Sequence, residues 1–456
     1  MGRQGRDMIE TVLLSRIQFA VTISFHILFP SITIALCWIL FYFKVRFDLS
    51  HSPVWMRAYR FWVKIFALSF ALGVVSGVTM SFQFGTNWPG FMEHAGNIAG
   101  PLLGYEVLSA FFLEATFLGV MLYGINRVPG WLHTLSTFIV AIGTTLSAFW
   151  IIALNSWMHT PTGFELRNGI IYPVDWWTII FSPSMPYRLA HVLFASGLTS
   201  GFLVSGISAY RIYLGDSKKA PLISLRTGIL MSAVLIPLQI FIGDLHGLNT
   251  LRHQPQKIAA IESVWQTDTR VPLILFAVPD EKTRTNHFTV EIPTLASLIL
   301  THDINGEVKG LNEFNGETPP VKPLFYGFRL MVGVGLLMLL VSWMGVGFVW
   351  RKKIPRPYLV LLIGMSFSGW IATLAGWYVT EIGRQPFLIY NILLSENAVT
   401  SIAPSKVTIS LTVFILLATF LIFSYIRAIF SMAKKAVAVP EFEERELNAN
   451  FQAVKE

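Results

Sequence analysis

A carboxylate and a guanidinium follow a long apolar run in the segment Gly376-Trp-Tyr-Val-Thr-Glu-Ile-Gly-Arg-Gln-Pro-Phe387. An ionisable side chain close to hydrocarbon is costly, and it is usually retained because it has a partner or a task. One interpretation is a plain helix end, at which Glu381 and Arg384 pair at i and i+3 and face water. The positions of the other polar residues favour a buried site instead.

Further residues that could do chemistry fall inside or at the ends of other apolar runs. They are His26, Glu106, Glu114, His191 and Met331. A histidine and a methionine on facing helices form the ligand pair of a six-coordinate, low-spin haem. A histidine without a second ligand leaves an iron position open, where oxygen could bind. Glu381 is a less usual haem ligand, and an arginine such as Arg384 near the site suits the haem propionates.

Glu106 and Glu114 lie in the same apolar run. On a continuous α-helix their spacing of i and i+8 places them about 80° apart around the axis and about 12 Å apart along it. Two carboxylates along one helix suit a proton route into a buried site. A structural alternative stays open, in which both carboxylates bond neighbouring helices through Ser or Thr.

Positioning these residues requires membrane-spanning helices. The chain is 54% hydrophobic and 13% charged, and runs of about 20 apolar residues, long enough to cross the hydrocarbon core, recur along it. The predicted spans are 17–43, 60–82, 101–124, 131–154, 188–212, 222–243, 327–350, 357–379 and 405–430. The predicted fold class is an all-α polytopic membrane protein with about nine transmembrane helices.

Basic residues predict the orientation of these spans. Lys and Arg are concentrated in alternate connections and in the C-terminal tail, whereas the connection 83–100 contains none. By the positive-inside rule, the C-terminus is expected in the cytoplasm and the N-terminus outside. The basic residues behind the net charge of +8 are therefore expected to set the orientation of the spans in the membrane, and no nucleic-acid partner is expected.

The connection between spans six and seven is long and polar. A connection of this length is usually functional. If Gln254 to Ser263 is helical, Lys257 and Glu262 are expected to flank one side of a short amphipathic turn. The predicted organisation is helices one to six at 1–243, an external loop at 244–323, helices seven to nine at 324–435 and a cytoplasmic tail at 436–456.

Five runs resemble the large subunit of the cytochrome bd-type quinol oxidases over nearly the whole chain. They are Leu14-Ser-Arg-Ile-Gln-Phe-Ala20 ahead of His26, Met80-Ser-Phe-Gln-Phe-Gly-Thr-Asn-Trp88, Ala110-Phe-Phe-Leu-Glu114, Phe328-Arg-Leu-Met331 and Gly383-Arg-Gln-Pro386. The resemblance implies a terminal oxidase that oxidises quinol near the outer face and reduces oxygen to water. It also implies that a proton motive force is generated without pumping.

The resemblance implies three haems. His191 and Met331 would hold the iron of a low-spin haem b, with Arg329 beside it. His26 and Glu381 would each hold one high-spin haem iron. One of these two haems would be a second haem b, and the other a haem d or a b-type haem in its place. Which of the two residues holds which haem stays open.

The remaining roles implied by the resemblance concern substrates and partners. Lys257 and Glu262 match the quinol-binding residues of the family's external loop, and Glu106 and Glu114 match its proton-route and haem-proximal carboxylates. The implied partners are a second membrane subunit, quinol, oxygen and membrane lipid, with a small single-helix subunit as a further candidate. The implied location is the bacterial cytoplasmic (inner) membrane.

The loop between spans six and seven is short for the family. In this respect the chain resembles the branch that includes the cyanide-insensitive oxidases.

Two other functions compete with an oxidase. A secondary transporter also places ionisable residues at mid-depth, but it favours broken helices and an internal repeat, and neither is expected here. A membrane cytochrome b that only transfers electrons would need paired histidines on its haems.

Overall fold

Helices dominate the computed structural model, which describes residues 3–314 and 318–438. In this part of the chain, nine stretches are long and apolar enough to cross a membrane, which confirms the predicted fold class. They are Glu10–Ser50, Pro53–Thr86, Pro89–Tyr123, Gly130–His159, Met185–Tyr213, Lys219–His253, Val321–Trp350, Arg356–Ile382 and Pro404–Ala438. Of the predicted tail at 436–456, residues from 439 onward lie outside the described residues.

The spans are built from twelve of the fifteen α-helices, and α7, α10 and α11 are short helices in connections. The helices are α1 (Arg3–Ile27), α2 (Pro30–Ser50), α3 (Pro53–Thr86), α4 (Pro89–Glu106), α5 (Phe112–Tyr123), α6 (Gly130–His159), α7 (Trp176–Ile180), α8 (Met185–Tyr213), α9 (Lys219–His253), α10 (Pro255–Glu262), α11 (Leu295–Thr301), α12 (Val321–Trp350), α13 (Arg356–Gly364), α14 (Ser368–Ile382) and α15 (Pro404–Ala438). Several begin with proline, whose missing N–H is not needed in the first helical turn.

Three spans are interrupted, and the expectation of unbroken helices is wrong for them. The first breaks between α1 and α2 at residues 28–29, where Pro30 cannot donate a backbone hydrogen bond. The third contains a π-helical turn, Val107–Phe111, between α4 and α5. The eighth breaks between α13 and α14, where the Ser366 hydroxyl bonds the Ile363 carbonyl at 2.8 Å and competes with the helical pattern.

Helix α8 is the central helix of the bundle. Within its apolar window 78% of residues are buried, compared with 22% in the neighbouring α9. Small residues allow the two helices to approach closely, because a Cβ on Gly201 would lie 2.3 Å from the Ser232 Oγ of α9. The residues at the N-terminal end of α8 are therefore held in a well-packed position.

Strand pairs cover one end of the bundle, which we call the α10 end because α10 lies there. The strands are β1 (Phe164–Arg167), β2 (Ile170–Pro173), β3 (Asp268–Thr269), β4 (Leu273–Asp280), β5 (Thr285–Ile292), β6 (Glu307–Val308), β7 (Phe387–Ile389) and β8 (Leu393–Leu394). They form the antiparallel pairs β1–β2, β3–β6, β4–β5 and β7–β8.

The connection between α9 and α12 is shorter than the predicted loop at 244–323. Helix α9 continues to His253, and α12 already begins at Val321. Residues 244–253 are polar but still helical. The helix pairs its own backbone N–H and C=O groups by hydrogen bonds, so it can continue beyond the hydrocarbon core. This extension places the His246 ring beside that of His191.

Candidate active site

Helix α14 forms one wall of a site that contains most of the predicted residues. The Tyr378 hydroxyl is hydrogen-bonded to the Ser24 hydroxyl of α1 at 2.6 Å. A Cβ on Gly376 would lie 2.7 Å from the Met331 sulfur of α12. Near the end of α14, Glu381 accepts a hydrogen bond from Asn155 of α6 at 2.9 Å. One helix thus brings together residues from distant parts of the chain.

Glu381 lies in a buried polar cluster. Its Oε2 accepts a hydrogen bond from Arg384 Nη2 at 2.6 Å, and its Oε1 lies 3.4 Å from His159 Nε2 and 4.0 Å from Arg188 Nη2. The Arg384 side chain is 5% exposed. The interpretation of a plain helix end that faces water is therefore wrong, although the pair itself forms as predicted.

The arginines of this cluster have spare donors. Arg188 Nε, Arg384 Nε and Arg384 Nη1 are buried and have no hydrogen-bond partner among the described residues. Buried cationic N–H groups normally bond an acceptor, and carboxylates are the acceptors that arginine binds best. The two propionates of a haem would provide such acceptors, so these residues fit the implied cofactor.

His26 is oriented by a serine on the neighbouring span. Its Nδ1 lies 3.0 Å from Ser76 Oγ, and the Ser76 hydroxyl itself donates to the carbonyls of Leu72 and Gly73. With its one proton directed to a carbonyl, Ser76 can only accept from His26, so we assign the ring proton to Nδ1. This tautomer leaves the lone pair of Nε2 for a metal, as is usual for histidine ligands.

His191 and Met331 each lie against a glycine of an adjacent helix. A Cβ on Gly243 would come within 3.4 Å of His191 Cε1, and Gly376 stands beside the Met331 sulfur. His191 Nδ1 is a buried atom without a hydrogen-bond partner among the described residues. The glycines let both side chains pack closely against the neighbouring helices, and the unbonded Nδ1 of His191 suits a residue that binds a cofactor.

Two further histidines belong to this neighbourhood and were missed in the sequence. His159 lies at the end of α6, past the predicted span end at 154, and is 1% exposed. The ring centroid of His246 lies 5.7 Å from that of His191, but His246 fell inside the predicted external loop. Both lie on polar extensions of their helices, beyond the ends of the apolar runs.

Lys257 reaches into the same cluster. Residues Pro255–Glu262 form the helix α10, and the Lys257 side-chain nitrogen donates to the Thr380 carbonyl of α14 at 2.9 Å. Burial lowers the pKa of Lys257 well below its usual range, and the positive charges of Arg188 and Arg384 lower it further, whereas Glu381 opposes them. Burial and the neighbouring arginines therefore both favour the neutral amine of Lys257 over its ammonium form.

Glu262 contacts α12, on a different side of α10. Arg329 Nη2 donates to Glu262 Oε2 at 3.0 Å, and the guanidinium also bonds the carbonyls of Ile261 and Ile274. Burial raises the pKa of Glu262, and Arg329 opposes this shift. The prediction that Lys257 and Glu262 flank one side of α10 is wrong, because five residues turn a helix by about 140°.

Glu106 and Glu114 are more nearly aligned than predicted. The intervening π-helical turn adds one residue, so their angular separation falls from about 80° to about 20°. Both face α6, where the Ser147 hydroxyl donates to Glu106 Oε1 at 2.7 Å and a Cβ on Gly143 would meet Glu114 Cγ. The hydrogen bond from Ser147 to Glu106 is the kind expected if these carboxylates only join neighbouring helices through Ser or Thr. Glu114 Oε1 is buried without a partner among the described residues.

The comparisons with known proteins agree over nearly the whole chain. The family model of the cytochrome bd terminal oxidase subunit I matches residues 14–437. The chain is 31% identical to the cytochrome bd ubiquinol oxidase subunit 1 of Bacillus subtilis (strain 168), over 92% of this chain and 93% of that protein. It is 30% identical to the cytochrome bd-II ubiquinol oxidase subunit 1 of Escherichia coli (strain K12), over 92% of this chain and 97% of that protein.

A solved structure shows the same fold. The bd oxidase from Geobacillus thermodenitrificans matches with a TM-score of 0.87 and 30% sequence identity, over 94% of this chain and 99% of that chain. These matches favour the oxidase over the two alternative functions, a secondary transporter and a membrane cytochrome b that only transfers electrons. The chain belongs to the cytochrome bd terminal oxidase subunit I family and is the multi-pass first subunit of a quinol:oxygen oxidoreductase that works with a second subunit.

Proposed function

We propose that quinol is oxidised at the α10 end and that its electrons reach oxygen through three haems held around α14. The observation that carries this proposal is the junction at α14, where Lys257 of the external segment bonds the Thr380 carbonyl next to Glu381. The C-terminal end of α14 therefore contacts both the proposed quinol-binding residue Lys257 and the buried cluster around Glu381. The proposed substrate site and the proposed cofactor site are adjacent at this point.

The proposed cofactors are a low-spin haem b, a high-spin haem b, and a third haem that is haem d or a b-type haem in its place. His191 and Met331 would hold the first iron, and His26 and Glu381 the other two. When bound, the haems would transfer single electrons and bind oxygen. The protein's contribution is to orient the His26 ring through Ser76 and to offer the free guanidinium donors of Arg188 and Arg384.

Lys257 and Glu262 are proposed to bind quinol. Oxidation of a quinol releases two protons, and a lysine whose pKa is lowered by burial can accept one of them. Glu262, held by Arg329, places a second titratable group on α10. Arg329 is proposed to lie beside the low-spin haem from the family resemblance, and its guanidinium bonds Glu262 and the carbonyls of Ile261 and Ile274.

The names of the relatives offer two quinols as substrate, ubiquinol and menaquinol. Two of them are called ubiquinol oxidases, whereas a putative menaquinol oxidase subunit I of Bacillus subtilis (strain 168) is 28% identical over 86% of this chain. We place the α10 end and the N-terminus outside the bacterial cytoplasmic membrane and the C-terminus inside, as the basic residues predict. A small single-helix subunit is a further proposed partner.

Glu106 and Glu114 are proposed to deliver protons from the cytoplasmic side. Their alignment along α6 and the unpartnered oxygen of Glu114 support this role. Protons taken up inside and quinol protons released outside would separate charge across the membrane. The proton motive force would then arise without pumping.

Removing the amine of Lys257 is expected to impair quinol oxidation selectively. We expect Lys257→Ala to raise the quinol KM or to lower turnover by about a hundredfold, because a proton acceptor is lost. Steady-state quinol oxidation with oxygen uptake measures this effect. Lys257→Met keeps the side-chain length, and Lys309→Ala, an exposed lysine of the same segment, is the matched control. Normal quinol kinetics and intact haem spectra in both Lys257 variants would show that α10 only covers the helices structurally and that Lys257 does not take part in quinol oxidation.

The two carboxylates of the third span are expected to behave differently. Glu106→Gln should disturb the high-spin haem spectrum or haem content, because Glu106 is proposed to lie at the haem level. Glu114→Gln should leave the spectrum closer to normal and slow proton uptake during the oxygen reaction. Time-resolved absorption with a pH indicator separates the two, and Glu93→Gln, at an exposed glutamate of α4, is the control. Unchanged proton uptake in the Glu114 variant would remove support for the route.

A further inference from the structure

The β4–β5 hairpin exposes an apolar surface at the α10 end. Its exposed apolar side chains, between 38% and 83% accessible, are Leu275, Phe276, Val278, Phe288, Val290 and Ile292. Phe276 and Val290 are cross-strand partners, so they project from the same face of the hairpin. A cluster of this size is unusual on a surface that faces only water and indicates an interaction. We call it the hairpin surface.

The hairpin is attached along the beginning of α12. The Ile274 carbonyl accepts from Arg329 Nε at 2.9 Å, and the Ala277 carbonyl accepts from the Tyr326 hydroxyl at 3.0 Å. Nearer the turn, Glu281 Oε1 accepts from the backbone N–H of Lys322 at 3.1 Å. Strand β4 therefore runs antiparallel to α12, with the hairpin turn level with the first turn of the helix. Its open end lies about 10 Å further along α12.

Helix α12 is longer than a membrane is thick. Its 30 residues extend for about 45 Å, whereas the hydrocarbon core spans about 30 Å. It ends at Trp350, which is 85% exposed and is followed by three basic residues. Trp and basic residues mark the membrane boundary. The first turns of α12, and with them the hairpin, must then lie in the headgroup region at the α10 end.

Polarity changes along the hairpin in the same direction. The turn carries Asp280, Glu281, Lys282 and Arg284, whereas the hairpin surface lies on the strands toward the open end. Exposed Thr289 and Glu291 on β5 suit a depth in the headgroup region rather than in the hydrocarbon. Phe288 is 83% exposed with a φ of 54°, in the left-handed region that bulky residues rarely adopt.

We propose that the hairpin surface is a membrane-binding element that lies in the lipid headgroup and acyl boundary at the α10 end. Phe276 and Phe288 would contact phospholipid, and the charged turn would stay in water. The external segment would then be held to the bilayer as well as to α12. This proposal depends neither on the haem ligands nor on the quinol-binding residues.

Site-directed spin labelling of the complete oxidase complex in phosphatidylcholine and phosphatidylglycerol nanodiscs tests the proposal. The one cysteine of this chain, Cys37, is fully buried, and the complex without an introduced cysteine controls for labelling elsewhere. Labels are introduced by Phe288→Cys and Phe276→Cys. Thr283→Cys in the turn is the aqueous control, and Leu340→Cys, at a residue of α12 that is 64% exposed, is the hydrocarbon control.

We expect the ratio of oxygen to nickel-chelate collision rates at residues 288 and 276 to be severalfold higher than at residue 283. Retained quinol oxidase activity shows that each labelled complex is folded, and Phe276→Cys serves if Phe288→Cys fails to assemble. A ratio at both sites equal to that at residue 283 would place the surface in water and overturn the proposal. Shielding from both reagents would assign the surface to a partner protein and would overturn it equally.

Discussion

Replacing Met331 by leucine is expected to convert the low-spin haem to a high-spin haem or to remove it. Leucine has no sulfur to donate to iron, yet it nearly conserves the volume, and such a swap costs less than about 1.5 kcal/mol of folding stability. The other haems should therefore persist. Reduced-minus-oxidised absorption spectra of the purified complex measure the change.

Met338 provides the matched control for this experiment. It lies on the same helix and is 2% exposed, so Met338→Leu makes the same chemical change away from the proposed site. Its low-spin spectrum should be normal. If the Met331 variant also kept an unchanged low-spin band, Met331 would not be the ligand, and another residue near His191 would have to take that place.

Removing the carboxylate of Glu381 is expected to have a larger effect, on both haem content and stability. Glu381→Ala would leave Arg384 and Arg188, which are 5% and 6% exposed in their side chains, without their counter-charge. Breaking a buried ion pair by removing one partner typically costs about 3–5 kcal/mol. We expect loss of one high-spin haem and a marked fall in the thermal unfolding temperature of the complex.

Glu381→Gln separates the two effects. The amide retains the shape, and its one oxygen can still accept from either Asn155 or Arg384, so the stability loss should be smaller than in the alanine variant. A neutral amide is also a much weaker iron ligand. Pyridine haemochrome quantification gives haem per complex, and Glu396→Gln, at an exposed glutamate of the next connection, is the control. A full haem complement in both Glu381 variants would show that this carboxylate only balances the arginines.

The membrane spans could be predicted from the sequence because the length of an apolar run directly reflects the thickness of the hydrocarbon core. The interruptions could not. A π-helical turn at 107–111 adds a single residue without changing composition, yet it turns Glu114 toward the face of Glu106. Only the packing of both carboxylates against α6 reveals this alignment.

The cluster around Glu381 was only partly predictable. Glu381, Arg384 and His191 stand out because they are ionisable residues at the ends of apolar runs. His159 and His246 were hidden by errors of a few residues in helix ends, since polar helical extensions have no hydropathy signal. The contact between Lys257 and the Thr380 carbonyl depends on how α10 folds back over α14, which no local pattern encodes.

The visible spectrum of the purified complex tests the proposed haem arrangement. We expect one low-spin and two high-spin haems per complex, with carbon monoxide shifting only high-spin bands in the dithionite-reduced state. Acid extraction of the haems would then distinguish haem b from haem d. A complex whose haems are all low-spin and do not react with carbon monoxide would contradict the proposed arrangement around α14.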